Sequence, residues 1–179
     1  MTVRETGFEG LLEILPTIFE DSRGWFYESY NLHTFKKNGI GTPFVQENQS
    51  FSHKGVVRGL HLQKEPNEQA KLVTVINGKI LDVVVDLRPK SKTFKQVYYC
   101  ELDSTKHNYL LVPEGFAHGF AAMEDTIFSY ICSNFYNKQS ESGIIWNDPQ
   151  LNIDWQTPNP VISEKDQQLQ TLEQFLNKL

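Results

Sequence analysis

Residues 72 to 87 constrain the fold more than any other stretch, because they hold two strand-like apolar runs with a turn signal between them. In the second run one face is wholly apolar and the other carries two carboxylates: Leu81, Val83, Val85 and Leu87 against Asp82, Val84 and Asp86. The pair Asn77-Gly78 separates this run from Leu72 to Ile76, and such a pair favours the two-residue turn of a hairpin. We therefore predict two antiparallel strands joined by a tight turn at Asn77-Gly78.

Further β-type runs predict a mainly β protein. They are Gly24 to Tyr30, Val56 to Gln63, Gln96 to Leu102, Tyr109 to Val112 and Ile127 to Tyr136. Many short strands separated by turn residues are typical of a barrel or jelly roll. The sequence thus favours that class of fold.

Helical signals are confined to two places. One is Leu32 to Lys37, which Asn38-Gly39 closes, and the other is the C-terminus from Ser163 onward. In the second, leucines recur at helical spacing: Leu169, Leu172, Leu176 and Leu179. We expect this stripe to dock a C-terminal helix against the sheet.

The composition is that of one soluble globular domain. The chain has 179 residues, of which 39% are hydrophobic and 22% charged, with no repeat or linker, so we expect a single domain over residues 1–179. A net charge of −5 argues against nucleic acid as a partner, because that binding needs an extended basic surface. An anionic small ligand would instead require a local cluster of Arg and Lys.

Cysteine usage and the N-terminus indicate the compartment. Cys100 and Cys132 have no metal-ligand spacing and are expected to be reduced, buried thiols. Met1 to Gly10 carry charges where a signal peptide needs an apolar run, and no stretch is long enough to span a bilayer. The sequence therefore predicts a cytoplasmic protein without a membrane partner.

Five segments place polar side chains in sequence that otherwise has the pattern of half-buried strands. They are Arg23 to Glu28, Gln46 to Asn48, Arg58 to Gln63, Gln69 to Lys71 and Pro113 to Phe120. Burying such groups costs free energy unless they are paired. We therefore infer that these polar side chains form a functional site.

Three blocks resemble, in order and spacing, the signature blocks of the dTDP-4-dehydrorhamnose 3,5-epimerase family. They are Arg58-Gly59-Leu60-His61-Leu62-Gln63, Gln69-Ala70-Lys71-Leu72-Val73 and Pro113-Glu114-Gly115-Phe116-Ala117-His118-Gly119-Phe120. The similarity runs from about Arg4 to about Asp166 and includes Asp21-Ser22-Arg23-Gly24 and Trp146-Asn147-Asp148. The resemblance implies a metal-free, homodimeric cupin jelly roll that acts on a dTDP-linked 4-keto-6-deoxy sugar in L-rhamnose synthesis.

The chemistry of such a reaction defines the groups it needs. Hydrogens on carbons next to a ketone are acidic because the carbanion delocalises into an enolate. An epimerase therefore needs a base, a donor for the enolate oxygen and an acid on the opposite face of the ring. By similarity His61 is the base, Asp166 orients it, Lys71 stabilises the enolate oxygen and Tyr130 donates the proton.

Structural alternatives stand beside these roles. His61 could be a hydrogen-bonded core histidine, and Tyr130 alternates with Phe128 and Cys132 as a core aromatic would. Ser163 followed by Asp166 is a capping-box pattern, which would place this carboxylate at a helix N-terminus whether or not it reaches His61. A purely structural role is less favoured for Lys71. Burying a lysine on such a strand costs free energy unless the side chain faces a pocket that holds negative charge.

The resemblance also implies a set of substrate-binding residues. Arg23, Arg58 and Lys165 are the candidate diphosphate ligands, and Phe26, Glu28, Gln46, Glu47 and Asn48 line the nucleotide or sugar site, together with Gln63, His118 and Glu141. The alternatives are rim salt bridges for Arg23 and Lys165 and a backbone hydrogen bond for His118. Arg58 and His61 would point to opposite faces of a regular strand, so if both line the site we expect a bulge at Gly59.

A metal is the other possibility for a cupin fold. His61-Leu62-Gln63 has a glutamine where metal-binding members need a second imidazole, which leaves His61 and His118 as the candidate nitrogen ligands. We therefore expect no metal, and no organic cofactor, because the 4-keto group of the substrate supplies the acidity. The alternatives are a single-site epimerase or ketoisomerase on a related 4-keto sugar nucleotide, and a non-catalytic cupin that binds sugar nucleotides.

Overall fold

Residues 1–178, which the computed structural model describes, form thirteen strands and three short helices. The strands are β1 (Thr2–Glu5), β2 (Leu12–Leu15), β3 (Phe19–Asp21), β4 (Gly24–Phe26), β5 (Gln46–Ser52), β6 (Val57–Gln63), β7 (Lys71–Asn77), β8 (Lys79–Asp86), β9 (Val97–Asp103), β10 (Tyr109–Val112), β11 (Phe116–Ala122), β12 (Thr126–Cys132) and β13 (Glu141–Gly143). The helices are α1 (Leu32–Lys37), α2 (Glu164–Gln167) and α3 (Leu172–Leu176). None of the helices in this part of the chain is long and apolar enough to cross a membrane.

Two antiparallel sheets face each other across a shared core. The larger has the order β1-β2-β10-β7-β12-β5 and the smaller β13-β6-β11-β8-β9, while β3 and β4 form a separate ribbon. Val73 and Val75 of β7 pack with Val84 of β8 and Phe120 of β11 in one cluster between the sheets. The mainly β prediction is confirmed.

The alternation predicted for β8 is also confirmed. Leu81, Val83 and Val85 join a cluster on the outer face of the smaller sheet, where Trp155 and Phe175 cover them. The opposite face of β8 points between the sheets and carries Asp82. The other predicted strands appear with small changes of boundary, except that Gly24 to Tyr30 shortens to β4 and Ile127 to Tyr136 ends at Cys132.

The predicted hairpin at Asn77-Gly78 is wrong. β7 pairs with β10 and β12 in the larger sheet, whereas β8 pairs with β11 and β9 in the smaller one. The chain crosses between the sheets at Gly78, which has a φ of 84°, and a Cβ there would lie 2.5 Å from the carbonyl oxygen of Asp125. Glycine is thus required at this corner by close backbone contact and not by a two-residue turn.

The C-terminal helix is wrong in extent. The chain forms two short helices, because Ser163 caps α2 and Thr171 begins α3 with a capping box to Gln174. Leu172 and Phe175 of α3 are buried against the smaller sheet, so the docking itself is confirmed, while Leu179 lies outside the described residues. The short helix at Leu32–Lys37 is confirmed. Cys100 and Cys132 are free and buried, also as predicted.

Candidate active site

A cavity of about 200 Å³ lies between the two sheets and is lined by five of the predicted site residues. Its walls include Arg58, His61, Lys71, His118 and Tyr130. An adjoining pocket shares three of these and adds further predicted residues: Gln46, Asn48, Gln63 and Glu141. Residues from six strands, between positions 46 and 141 of the sequence, therefore meet at one place.

A bulge in β6 brings Arg58 and His61 to the same side. His118 of β11 pairs with His61 and Phe120 pairs with Arg58, so three steps on β6 match two on β11. The extra residue is accommodated at Gly59, which has a φ of 120° and whose Cβ position would lie 2.6 Å from the Cα atom of Gly119. The bulge predicted at Gly59 is confirmed.

His61 is held by Asp166 from the C-terminal region. Its Nε2 lies 2.8 Å from Oδ1 of this carboxylate, whose Oδ2 accepts a hydrogen bond of 3.1 Å from the backbone N–H of Gly59. The hydroxyl of Ser163 accepts from the backbone N–H of Asp166, so the capping role holds as well. Burial raises the pKa of Asp166, but the bonds from His61, Gly59 and Ser163 outweigh it and leave a lowered value. The carboxylate is therefore an ionised acceptor behind the imidazole.

Lys71 and Tyr130 project from the larger sheet into the same cavity. Burial lowers the pKa of Lys71, and the neighbouring Cys132 and Asp82 act to raise it. Within residues 1–178 no hydrogen bond holds its ammonium group. Burial also raises the pKa of Tyr130, with Arg58 acting in the opposite direction, so this phenol keeps its proton at neutral pH. The cavity thus contains the unpaired amino group of Lys71 and a protonated phenol opposite His61.

His118 forms a second imidazole–carboxylate pair beside the first. It lies directly across from His61 on the neighbouring strand, and its Nε2 is 2.7 Å from Oδ2 of Asp82. The predicted alternation of β8 puts Asp82 on the correct face, but Asp82 was not among the predicted site residues. The signal was present, because an acid within an apolar strand needs a partner. His118 bonds a side chain here and not the backbone.

Lys165 is a further predicted residue and lies beside the adjoining pocket through its contact with Glu141. Lys165 forms an ion pair with Glu141, whose other oxygen accepts a hydrogen bond of 3.0 Å from the hydroxyl of Tyr136. Arg58, which lines the first cavity, donates to the hydroxyl of Ser52 and to the carbonyl oxygen of Phe51, and these bonds hold its guanidinium group in place. Tyr136 and Gln69 line the adjoining pocket and were not predicted as site residues.

Four predicted site residues line neither the cavity nor the adjoining pocket. Arg23 is paired with Asp21 on the β3–β4 ribbon, where the side chain of Phe26 is 68% exposed. Glu28 instead accepts hydrogen bonds from Asn31 and Thr34. Glu47 lies on the outer face of its strand and accepts from Ser129, because alternation along β5 turns it away from Gln46 and Asn48. A role for Arg23, Phe26, Glu28 and Glu47 in binding remains a prediction.

The donors around the cavity do not form a metal-ligand set. Both imidazoles engage a carboxylate through Nε2, and the side-chain oxygen of Gln63 accepts from the backbone of Asn137. Among residues 1–178 no three His, Cys, Asp or Glu side chains are grouped as metal ligands would be. The groups present are those of acid–base chemistry, and they define an enzyme-like site in a two-sheet β fold.

Comparison with known proteins identifies the family. Residues 5–174 match the family model for dTDP-4-dehydrorhamnose 3,5-epimerase. A Shigella flexneri protein of that description is 44% identical over 168 residues, which cover 93% of each chain. The chain belongs to the dTDP-4-dehydrorhamnose 3,5-epimerase family, which is a family of isomerases.

Solved structures agree with this assignment. The crystal structure of dTDP-4-dehydrorhamnose 3,5-epimerase from Elizabethkingia anophelis superimposes with a TM-score of 0.92 at 46% identity, covering 97% of both chains. The Bacillus anthracis enzyme, solved with TDP and PPi bound, gives a TM-score of 0.93 at 44% identity, covering 96% of this chain and 99% of that one. The predicted cupin-type jelly roll is confirmed by these matches.

Proposed function

We propose that this protein is a 3,5-epimerase of dTDP-4-dehydro-6-deoxyglucose and serves dTDP-L-rhamnose synthesis. The observation that carries the proposal is the meeting of His61, backed by Asp166, with Lys71 and Tyr130 around one cavity. The family and the nucleotide bound to the Bacillus anthracis relative support the class of substrate.

In the proposed mechanism His61 is the base. Its Nε2–H donates to Asp166, so Nδ1 is the nitrogen that accepts the proton from the carbon next to the ketone. The electron pair of the broken C–H bond moves into the ketone oxygen, where the Lys71 ammonium stabilises the enolate. Asp166 stabilises the imidazolium that results.

Tyr130 completes the inversion. Its hydroxyl delivers a proton to the opposite face of the same carbon, and the enolate returns its electron pair to form the new C–H bond. The phenolate then regains a proton from solvent and the imidazolium loses one, which restores both groups for the second centre. Burial raises the pKa of Tyr130, so at neutral pH the equilibrium favours return of that proton to the phenolate.

The remaining predicted residues bind the substrate in this proposal. Arg58 and Lys165 approach the mouth and would contact the diphosphate, while Gln46, Asn48, Gln63, His118 and Glu141 line the space for the sugar and nucleotide. We retain Arg23, Phe26, Glu28 and Glu47 as predicted ligands on the strength of the family resemblance alone.

We also propose a homodimer, cytoplasmic in location, whose product enters cell-surface polysaccharide. The resemblance to the family supports these finer points. Large apolar side chains on the β3–β4 ribbon support self-association, since Phe19, Trp25 and Phe26 are 63%, 58% and 68% exposed. Sedimentation velocity would test the dimer, and a monomer at micromolar concentration would contradict it.

Proton exchange in deuterated water tests the reaction. With dTDP-4-dehydro-6-deoxyglucose as substrate, we expect deuterium at both C3 and C5 of the product. NMR of the product measures this label. Label at one carbon would indicate a single-site epimerase or ketoisomerase, and no label would indicate a binding protein without catalysis. Stoichiometric metal coupled to activity would contradict the metal-free mechanism.

The base is tested by substitution at the first imidazole pair. His61→Ala should abolish exchange while the affinity for dTDP, measured by calorimetry, stays within about threefold. Asp166→Asn keeps the shape of the side chain but removes its charge, and should lower kcat by about 10²–10⁴-fold. Appreciable exchange by His61→Ala would show that the base is assigned to the wrong residue.

A further inference from the structure

Asp82 contains the one buried side-chain oxygen without a hydrogen-bond partner within residues 1–178. Its side chain is fully buried, Oδ2 bonds to His118, and Oδ1 has no partner. A carboxylate oxygen left unpaired in a core is unfavourable for folding. The position therefore needs a reason other than the stability of the fold.

The location of Asp82 supplies that reason. β8 lies next to β11. His118 pairs with Val84, so Asp82 is two residues away from the position opposite His118, on the face that points between the sheets. His118 in turn lies across from His61. Asp82 is thus directly behind the cavity wall, as Asp166 is behind His61.

The hydrogen bond to Asp82 fixes the ring of His118. A carboxylate accepts, so Nε2 of His118 must carry the proton and Nδ1 is the nitrogen left to face the cavity. The same arrangement holds at His61, where Nε2 bonds Asp166. Two imidazoles, each held through Nε2 by a carboxylate, thus border the site that we propose for the sugar.

We propose that Asp82 is a positioning residue of the active site, which sets the orientation of His118 toward the substrate and keeps a carboxylate near Lys71. The proposal rests on the proposed epimerase function. His118 then contacts the sugar through Nδ1, and Lys71 remains an ammonium group able to stabilise the enolate.

The environment of Lys71 supports the second part of this role. The titratable groups around it are Asp82 on β8, Arg58 and His61 on β6, His118 on β11, Cys132 and Tyr130 on β12, Tyr136 after β12, and Glu141 on β13. Burial lowers the pKa of Lys71, and Asp82 is the carboxylate that acts to raise it. Removing the charge of Asp82 should therefore lower the pKa of Lys71 further, because less opposes the effect of burial.

Asp82→Asn tests the proposal, because asparagine keeps the shape and one acceptor but loses the charge. We expect kcat to fall by about 10-fold or more while the affinity for dTDP changes by less than about threefold. The alkaline limb of the pH profile of kcat should also move to lower pH. Unchanged kcat, or an alkaline limb that stays in place, would overturn the proposal.

Asp86→Asn is the matched control, since it removes a fully buried carboxylate from the same strand outside the cavity. Asp86 bonds Arg88, Ser91 and Thr93, so its variant should lose thermal stability and keep kcat. Asp82→Asn should show the opposite pattern, with the melting temperature kept and kcat reduced. A fall in Asp82→Asn activity that only follows the loss of folded protein would contradict a positioning role.

A measurement on the unmodified protein covers the case of a variant that does not fold. ¹⁵N NMR of the histidine rings should show Nε2 of His118 protonated across the pH range of activity. An unprotonated Nε2 would overturn the proposal. Exchange by the unmodified protein at C3 and C5 must be measured alongside, because its absence would contradict the epimerase function and not the role of Asp82.

Discussion

His61 and His118 occupy opposite positions on neighbouring strands, and each bonds a carboxylate through Nε2. They differ in access, since the side chain of His61 is 35% exposed and that of His118 is 7% exposed. The more accessible ring is the better placed to take a proton and release it to solvent. Burial of the other suits a group that keeps one orientation. The difference in solvent exposure between the two side chains thus favours His61 as the base and His118 as a binding residue.

Tyr130 provides the test of proton delivery at the scale of one residue. Tyr130→Phe removes the proposed acid without changing the ring, so abstraction by His61 continues while inversion does not. We expect product formation to fall by about 10²–10⁴-fold. Deuterium should still enter the unreacted substrate, because the proton can return to the original face.

A second tyrosine gives the control for this variant. Tyr98→Phe removes a hydroxyl that donates to Glu13, and Tyr98 is not among the residues that line the cavity. Its rate of product formation should match that of the unmodified protein. Loss of both exchange and inversion in Tyr130→Phe would instead indicate that this phenol takes part in abstraction.

At the scale of elements, β6 sets the geometry of the site through its bulge. Gly59 has a φ of 120°, and its Cα–H faces Gly119 where a Cβ would overlap the neighbouring backbone. Gly59→Ala should lower the free energy of unfolding by about 2 kcal/mol or more, because both strain and contact oppose it. It should also reduce kcat by moving Arg58 relative to His61. Urea unfolding and steady-state kinetics measure the two effects.

Gly41→Ala is the matched control, because a Cβ there meets nothing within 4 Å and its φ is not positive. Its free energy of unfolding should stay the same or rise slightly. An equal loss of stability in Gly41→Ala and Gly59→Ala would contradict the special role of the bulge.

For the whole molecule, the acid limit of stability is set in part by a buried carboxylate. Burial raises the pKa of Asp86, but bonds from Arg88, Ser91 and Thr93 bring it down from an ordinary 3.8 to about 2. The unfolded chain therefore binds this proton more readily than the folded one. The stabilisation, about 2 kcal/mol, is complete above the ordinary value and is lost as pH falls towards 2.

Urea unfolding between pH 5 and pH 2 would measure this effect. The unmodified protein should lose stability more steeply below pH 4 than Asp86→Asn, whose amide does not titrate. Parallel slopes for the two proteins would show that Asp86 is not responsible.

Local features of the fold and the site were predictable from the sequence, and contacts between distant segments were not. The alternation of β8 is local, since side chains change face at each residue, and sequence was sufficient for it. The same period of two would have excluded Glu47 from the face that carries Gln46 and Asn48. The pairing of β7 was not predictable from Asn77-Gly78, because its neighbours β10 and β12 lie far along the chain.

By itself the sequence determined the strand pattern, the family and the groups His61, Lys71 and Tyr130 as candidates for acid–base chemistry. Only the tertiary structure decided that Asp166, expected by similarity, reaches His61 and that Asp82 stands behind His118, because the partners are 105 and 36 residues apart. Contacts at such separations depend on how two sheets close on each other. Side-chain period and local capping carry no information about that closure.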